Sequence, residues 1–248
     1  MSEEVVLLHG FSGTHRAWDG VTALLDGERY RAHALDLPGH GERAGERPVT
    51  FAAAVTSVLS AAPERFILGG YSLGGRIAQL VALAAPERVR ALLLISTSAG
   101  IEGARERAAR RASDEQLARE LESGPFDTFI ERWRTQPLFA DEMPGTRRLA
   151  SADMERNDPR ALAAVLRGVG AGQMQPLWDR LAQLAMPSTV LVGARDERFL
   201  GYGRRLAAAL GDARLVTAAG GHGLLLENPR AVAREITALA GRRSRTAR

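Results

Sequence analysis

Three residues in this chain have the types and surroundings for nucleophilic or proton-transfer chemistry: Ser72, Asp196 and His222. Ser72 lies in Gly70-Tyr71-Ser72-Leu73-Gly74. G-x-S-x-G spacing suits a serine on a tight strand-to-helix turn, because small flanking residues let the two elements approach while the hydroxyl projects. The pattern alone is common. Its weight comes from the apolar strand signal Phe66–Leu68 before it and the helical signal Gly75–Ala84 after it. The bland alternative is a glycine-rich turn with an incidental serine. Asp196 follows Leu191-Val192-Gly193-Ala194-Arg195, and His222 lies in Gly220-Gly221-His222-Gly223. Singly, these read as a surface carboxylate beside Arg195 and Arg198 and as a turn histidine. Together, in the order Ser, acid, His and each just after a strand, they form a set in which an imidazole accepts the hydroxyl proton and a carboxylate supports the imidazolium. No group of histidines and carboxylates has metal-ligand spacing, and no G-x-G-x-x-G follows a strand, so neither a metal nor a cofactor is expected.

The elements that must position these residues alternate. Strand signals run over Val5–Leu8, Tyr30–Leu37, Phe66–Gly70, Ala91–Ser96, Thr189–Val192 and Arg214–Thr217. Helical patterns over Trp18–Leu25, Phe51–Ala61, Gly75–Ala84, Gly203–Leu210 and Ala231–Ala240 lie between most of them. The alternation predicts an α/β fold, a mostly parallel sheet with helices on both faces. Such a sheet delivers the loops after its strands to one edge, which brings Ser72, Asp196 and His222 together. From Ile101 to Met186 no strand signal appears, only Arg- and Glu-rich helical stretches with Phe126, Phe129, Trp133 and Phe139 as apolar anchors. That segment, 101–186, is expected to be a helical cap inserted into a core of 1–100 and 187–241, with 242–248 a basic, disordered tail.

The bulk composition excludes several classes. At 248 residues and 45% apolar content, one α/β domain with a full core is expected. There is no cysteine, which removes disulfides, thiolate metal sites and a cysteine nucleophile. No apolar run reaches the roughly 18 residues of a membrane span, and the start has no signal-peptide pattern, so a cytoplasmic protein is expected. All 33 basic residues are arginine, against 29 acids, for a net charge of +4. The charges are interspersed, and the single one-signed run is the tail. No basic face suggests nucleic acid as a partner, and the sequence sets no oligomeric state.

Over its whole length the chain resembles the α/β-hydrolase superfamily, and more narrowly the 2-succinyl-6-hydroxy-2,4-cyclohexadiene-1-carboxylate (SHCHC) synthases of menaquinone biosynthesis. The segments that carry the resemblance are Leu8-His9-Gly10-Phe11-Ser12-Gly13, Gly70-Tyr71-Ser72-Leu73-Gly74-Gly75-Arg76, Glu106-Arg107-Ala108-Ala109-Arg110-Arg111, Gln136-Pro137-Leu138-Phe139, Gln175-Pro176-Leu177-Trp178 and Glu227-Asn228-Pro229. The first and last are generic to the superfamily. The arginine after the elbow glycines and the cap segments are more specific. The resemblance implies an α/β-hydrolase fold and a lyase that eliminates pyruvate from an enolpyruvyl-cyclohexene dicarboxylate. The serine then acts as base on a ring carbon and no acyl-enzyme forms. It also implies an oxyanion hole built from the Phe11 and Leu73 amides, each donor contributing roughly 3–4 kcal/mol.

For a small-molecule substrate with several carboxylates, guanidinium forks make physical sense. Arg76, one helical turn beyond Ser72, is an expected clamp, and the resemblance carries Arg110 over from the cap motif as a second. Tyr71 and Trp133 are carried over as further substrate-binding positions. Arg76 could instead pair with a helix neighbour, Arg110 lies in an Arg-rich helix, and Trp133 serves equally well as cap core. Two departures stand out. Where the family has another cap arginine, this chain has Met154; either Arg156, two residues later, replaces it or that contact is missing. Only eight residues precede His9, so the leading hairpin is short or absent and a sheet of about six strands is expected. A serine hydrolase (carboxylesterase, thioesterase or C–C bond hydrolase) working through an acyl-enzyme uses the same triad and is the alternative. The intact triad argues against a non-catalytic binding protein.

Overall fold

The structure is a computed structural model that describes residues 2–242. Six strands form one sheet: β1 (Glu3–Leu8), β2 (Tyr30–Leu35), β3 (Phe66–Tyr71), β4 (Val89–Ile95), β5 (Ser188–Gly193) and β6 (Ala213–Ala218). Their order is β2-β1-β3-β4-β5-β6, and every pairing is parallel. Side chains of β5 are buried along its whole length, and those of β4 at every position but Arg90. A continuous apolar run of that kind fits a strand covered on both faces.

Helices supply the cover. α1 (Asp19–Thr22), α2 (Phe51–Ala61) and α3 (Leu73–Ala84) come before the cap. α4 (Ala104–Ser123), α5 (Phe126–Arg134), α6 (Pro144–Met154) and α7 (Pro159–Val169) lie between β4 and β5. α8 (Glu197–Ala209), α9 (Leu224–Glu227) and α10 (Pro229–Ala240) complete the chain. Val6, Leu8, Leu68, Leu92 and Leu94 point to one face with α2, α3 and α8. Val5, Leu7, Ile67, Leu93 and Ile95 point to the other with Trp18, Ile236 and Leu239. The alternation along each strand is the period-two geometry of extended backbone.

Two helices differ from the sequence expectation. The stretch Trp18–Leu25 splits into a 3-10 turn, His15–Trp18, and a single α-turn, α1. Helix α8 starts at Glu197, six residues ahead of the predicted Gly203. The Asp196 carboxylate accepts the Phe199 N–H at 3.3 Å and so caps a helix whose interior glycines, Gly201 and Gly203, hide its periodicity.

The cap has its own small core of Ala118, Leu121, Phe129, Ile130, Met154, Leu162, Ala163 and Leu166. Helix α7 is capped by Asp158, which accepts the Ala161 N–H at 2.7 Å, with Pro159 at its first position. The turn between α6 and α7 is bolted to the sheet's loops. Asp153 accepts from the Thr14 N–H at 2.9 Å, and Asn157 accepts from the Gly41 N–H at 3.0 Å and donates to the Ser12 carbonyl at 2.9 Å. Arg242, counted above in the tail, donates to the Ser188 carbonyl at 2.9 Å and to Asp212 at 2.6 Å. It is anchored against β5 and does not belong to a solvated end. The rest of that tail, 243–248, lies outside the described residues.

The chain enters the sheet at β1, steps outward to β2, then returns across β1 to β3 and proceeds the other way. The loops after β1 and β3 therefore diverge and leave a crevice at the carboxyl edge, where ligands bind in open parallel sheets.

Candidate active site

Ser72 stands at that edge, between β3 and α3, with φ 51° and ψ −108°. A non-glycine residue held there costs on the order of 1–3 kcal/mol. The surroundings hold it. The Ser72 N–H donates to the Ile95 carbonyl at 2.9 Å, and its own carbonyl accepts from Thr97 Oγ1 at 2.7 Å and from the Arg76 N–H at 3.2 Å. The G-x-S-x-G glycines are required by close approach. A Cβ on Gly70 would run into the Gly74 carbonyl, and one on Gly74 into the Leu8 carbonyl of β1.

His222 Nε2 lies 3.3 Å from Ser72 Oγ, and His222 Nδ1 lies 2.7 Å from Asp196 Oδ2. Asp196 follows β5 and His222 follows β6, and both are buried. With Nδ1–H donating to the carboxylate, Nε2 is the basic nitrogen and faces the hydroxyl. The Ser–His separation is at the long end of a hydrogen bond, as is usual before a substrate closes the site. Phe199, Tyr71 and Phe139 surround the imidazole with ring centroids at 4.5, 5.4 and 5.9 Å. The set can move a proton between Ser72 Oγ and His222 with little water present.

Phe11 and Leu73 line the same cavity as Ser72. Leu73 opens α3, where a helix has N–H groups without internal partners. Among the described residues, neither the Phe11 nor the Leu73 N–H donates to another group. The Phe11 loop is held from behind. The Ser12 N–H, at φ 64°, donates to His40 Nε2 at 3.3 Å. His9 Nδ1–H donates to the Gly10 carbonyl at 2.8 Å, while Nε2 accepts the Leu37 N–H at 3.0 Å. Burial pulls both imidazoles below the ordinary value of 6.5, so they are neutral struts. No metal-holding group of His, Asp and Glu occurs among the described residues.

The arginines divide sharply. Arg76 is 9% exposed and lines the cavity. Among the described residues its guanidinium makes one hydrogen bond, from Nη1 to the Val169 carbonyl at 3.2 Å, and no carboxylate pairs with it. Burial, with the nearby Arg110 cation, pushes its guanidinium down to about 10, still a cation at neutral pH. Arg110 lines the cavity too, but its Nε is held by the buried Asp114 at 2.8 Å. Tyr71 and Trp133 are both lining residues. Trp133 packs on Phe11 at 5.0 Å and Phe129 at 6.0 Å, and its buried indole N–H has no partner. It is therefore both cap core and cavity wall. Burial raises the Tyr71 phenol far above its usual value and keeps it neutral.

Arg156 is not brought to the site. It is exposed beyond the end of α6, whereas Met154 is buried in the cap core. A charged residue in the cavity wall that the sequence reading did not assign to the site is Arg198, exposed at the start of α8 and without a carboxylate partner among the described residues. Its place two residues after Asp196 was the available signal.

Comparison with known proteins yields one family and a consistent set of relatives. Residues 5–235 match the alpha/beta hydrolase family. The chain is 32% identical over 235 residues to the 2-succinyl-6-hydroxy-2,4-cyclohexadiene-1-carboxylate synthase of Salmonella paratyphi A, covering 92% of this chain and 90% of that one. Among solved structures it superimposes on MenH from S. aureus with a TM-score of 0.87 at 27% identity, covering 96% of this chain and 92% of that one. A hydrolase from Pseudomonas aeruginosa PA01 superimposes with a TM-score of 0.77 at 26% identity, covering 97% and 91%.

Proposed function

The chain belongs to the alpha/beta hydrolase family, and from that premise we propose that it is the SHCHC synthase of menaquinone biosynthesis, eliminating pyruvate from 2-succinyl-5-enolpyruvyl-6-hydroxy-3-cyclohexene-1-carboxylate. The activity for which the Salmonella relative is named supports this reading. The observation that carries it is Arg76: a buried guanidinium in the wall of the Ser72 cavity with no carboxylate of its own. Asp114 acts on this cation only at a distance and no carboxylate among the described residues pairs with it directly, so an anionic substrate can supply a direct partner. A site for neutral esters has no use for it.

In this mechanism His222 Nε2 takes the Ser72 hydroxyl proton as Ser72 Oγ removes a proton from the substrate ring. The C–H electron pair forms the new ring double bond, and the ring C–O bond to the enolpyruvyl group breaks. The leaving enolate takes up, on carbon, the proton that His222 holds, which restores the neutral imidazole, and departs as pyruvate. Asp196 stabilises the imidazolium, and the Phe11 and Leu73 amides hold the oxyanion that develops during proton removal. Arg76 and Arg110 fix the substrate carboxylates.

The test is pyruvate release from the enolpyruvyl intermediate, generated in situ by the preceding enzyme, with p-nitrophenyl ester cleavage measured in parallel. Release that Ser72→Ala abolishes, with negligible ester turnover and no acyl adduct on Ser72 by mass spectrometry, is the expected result. Ester cleavage through a trapped acyl-Ser72, without pyruvate release, would identify a serine hydrolase instead.

A further inference from the structure

Asp196 and His222 come from separate loops, so something must fix the distance between those loops. Residue 195 immediately precedes the acid and residue 221 immediately precedes the histidine. One side chain touches both. Glu227, at the end of α9, receives the Gly221 N–H on Oε1 and Oε2, each at 3.0 Å. The same carboxylate pairs with the Arg195 guanidinium. Its side chain is only 6% exposed, whereas that of Arg195 is 45% exposed. The Arg195 N–H in turn donates to the Gly220 carbonyl at 3.0 Å, and Asn228 Nδ2 donates to the Ala219 carbonyl at 3.0 Å. Helix α9 is rooted in the sheet core through Leu224 and Leu225, so the Glu227 carboxylate projects from a rigid base.

We propose that Glu227 is a positioning residue for the triad: by binding the Gly221 N–H and Arg195 at once, it clamps the acid loop to the histidine loop and sets the His222–Asp196 geometry. It is not among the residues lining the Ser72 cavity, although it lines an adjoining one that shares Leu138, Arg198 and His222 with it. A carboxylate that accepts an N–H with both oxygens and also meets a guanidinium is restrained in position and in rotation. Small displacements of a base from its productive geometry are expensive, on the order of 100-fold in rate for 1 Å. The clamp acts in a lyase and in a hydrolase alike. It rests on Ser72, His222 and Asp196 working as a unit.

The experiment compares wild type with Glu227→Ala, Glu227→Gln and Arg195→Ala. The first readout is the rate at which a fluorophosphonate probe labels Ser72, which needs the triad and no substrate. Thermal denaturation and the kcat and KM of pyruvate release are measured beside it. Glu227→Ala is expected to slow labelling and lower kcat by about tenfold or more with KM within about twofold, because the clamp acts through His222 and not on the ligand. Glu227→Gln keeps an acceptor for the Gly221 N–H and is expected to recover most of the labelling rate. Arg195→Ala should fall between the two. Wild-type labelling by Glu227→Ala, even with a lowered Tm, would reduce Glu227 to a fold brace and overturn the proposal, as would a Glu227→Gln enzyme as slow as the alanine variant. If wild type labels rapidly but releases no pyruvate, the proposed substrate is wrong and the clamp is still tested by labelling alone.

Discussion

Arg76 is the residue on which the proposed substrate class turns. No carboxylate among the described residues pairs with it directly, and in the proposed function the ligand supplies that partner. Arg76→Gln is expected to lower kcat/KM by about 2–5 kcal/mol, the usual cost of removing one member of a desolvated charge pair. A loss below threefold would assign the guanidinium to structure alone. Because burial lowers the Arg76 guanidinium to about 10, the folded state disfavours the proton below that pH. The cation then opposes folding, and the opposition fades as pH rises from about 10 toward the unfolded value. A polycarboxylate ligand reverses this by pairing with the cation. It should raise Tm at pH 7 in wild type and do so much less in Arg76→Gln. His9 and His40 act at the other end of the scale. Their folded values lie below the 6.5 of the unfolded chain, so the unfolded chain binds protons first as pH falls. Their contribution to stability is full above about 6.5 and is lost below it. A Tm profile flat from pH 6.5 down to 4.5 would contradict this reading.

At the scale of elements, two features govern the site. The elbow needs glycine at 74, where β1 passes against α3. Gly74→Ala is expected to cost about 2 kcal/mol or more through a steric conflict with backbone that cannot move aside. The second feature is the latch between α6–α7 and the oxyanion loop. Buried Asn157 accepts from Gly41 and donates to the Ser12 carbonyl, directly after Phe11. Asn157→Ala leaves both groups unpaired, and about 1–3 kcal/mol of stability should be lost for each buried polar group abandoned. Since Ser12 follows Phe11, the proposed oxyanion donor, kcat should fall with it. Unchanged kcat alongside a lowered Tm would mean that the latch serves the fold and not the hole. The same latch explains the fate of residue 154. The chain enters the Asn157 corner with Met154 turned into the cap core, and Arg156 is left facing outward.

Across the molecule, the proposed ligand site draws on both the sheet-backed core and the helices between β4 and β5. Arg76 belongs to the sheet-backed α3, whereas Arg110 and Trp133 belong to α4 and α5 of the cap. A ligand that bridges them adds contacts between α4–α5 and the core, while α6–α7 are already tied down through Asp153 and Asn157. Hydrogen exchange with and without a polycarboxylate ligand should therefore show new protection in α4 and α5, with little change in α6 and α7. Uniform protection over the four helices would indicate that the cap responds as one rigid piece.

The local readings survive because they rest on local physics. All six strands were legible, since β-type apolar runs bounded by Gly and Pro have few other solutions. Ser72, Asp196 and His222 each follow a strand, and parallel topology sends every such loop to one edge. What remained illegible depended on direction and on partners. Whether Arg76 pairs with a protein carboxylate is decided by what α7 brings near it, a carbonyl of Val169. Whether Arg156 reaches the site is decided by how the α6–α7 corner is turned. The start of α8 is decided by the Asp196 cap, which a pattern broken by Gly201 and Gly203 conceals. The sequence by itself determined which residues are available and which strand precedes each. Only the tertiary structure decided which charges are left without partners, because that depends on segments up to a hundred residues apart.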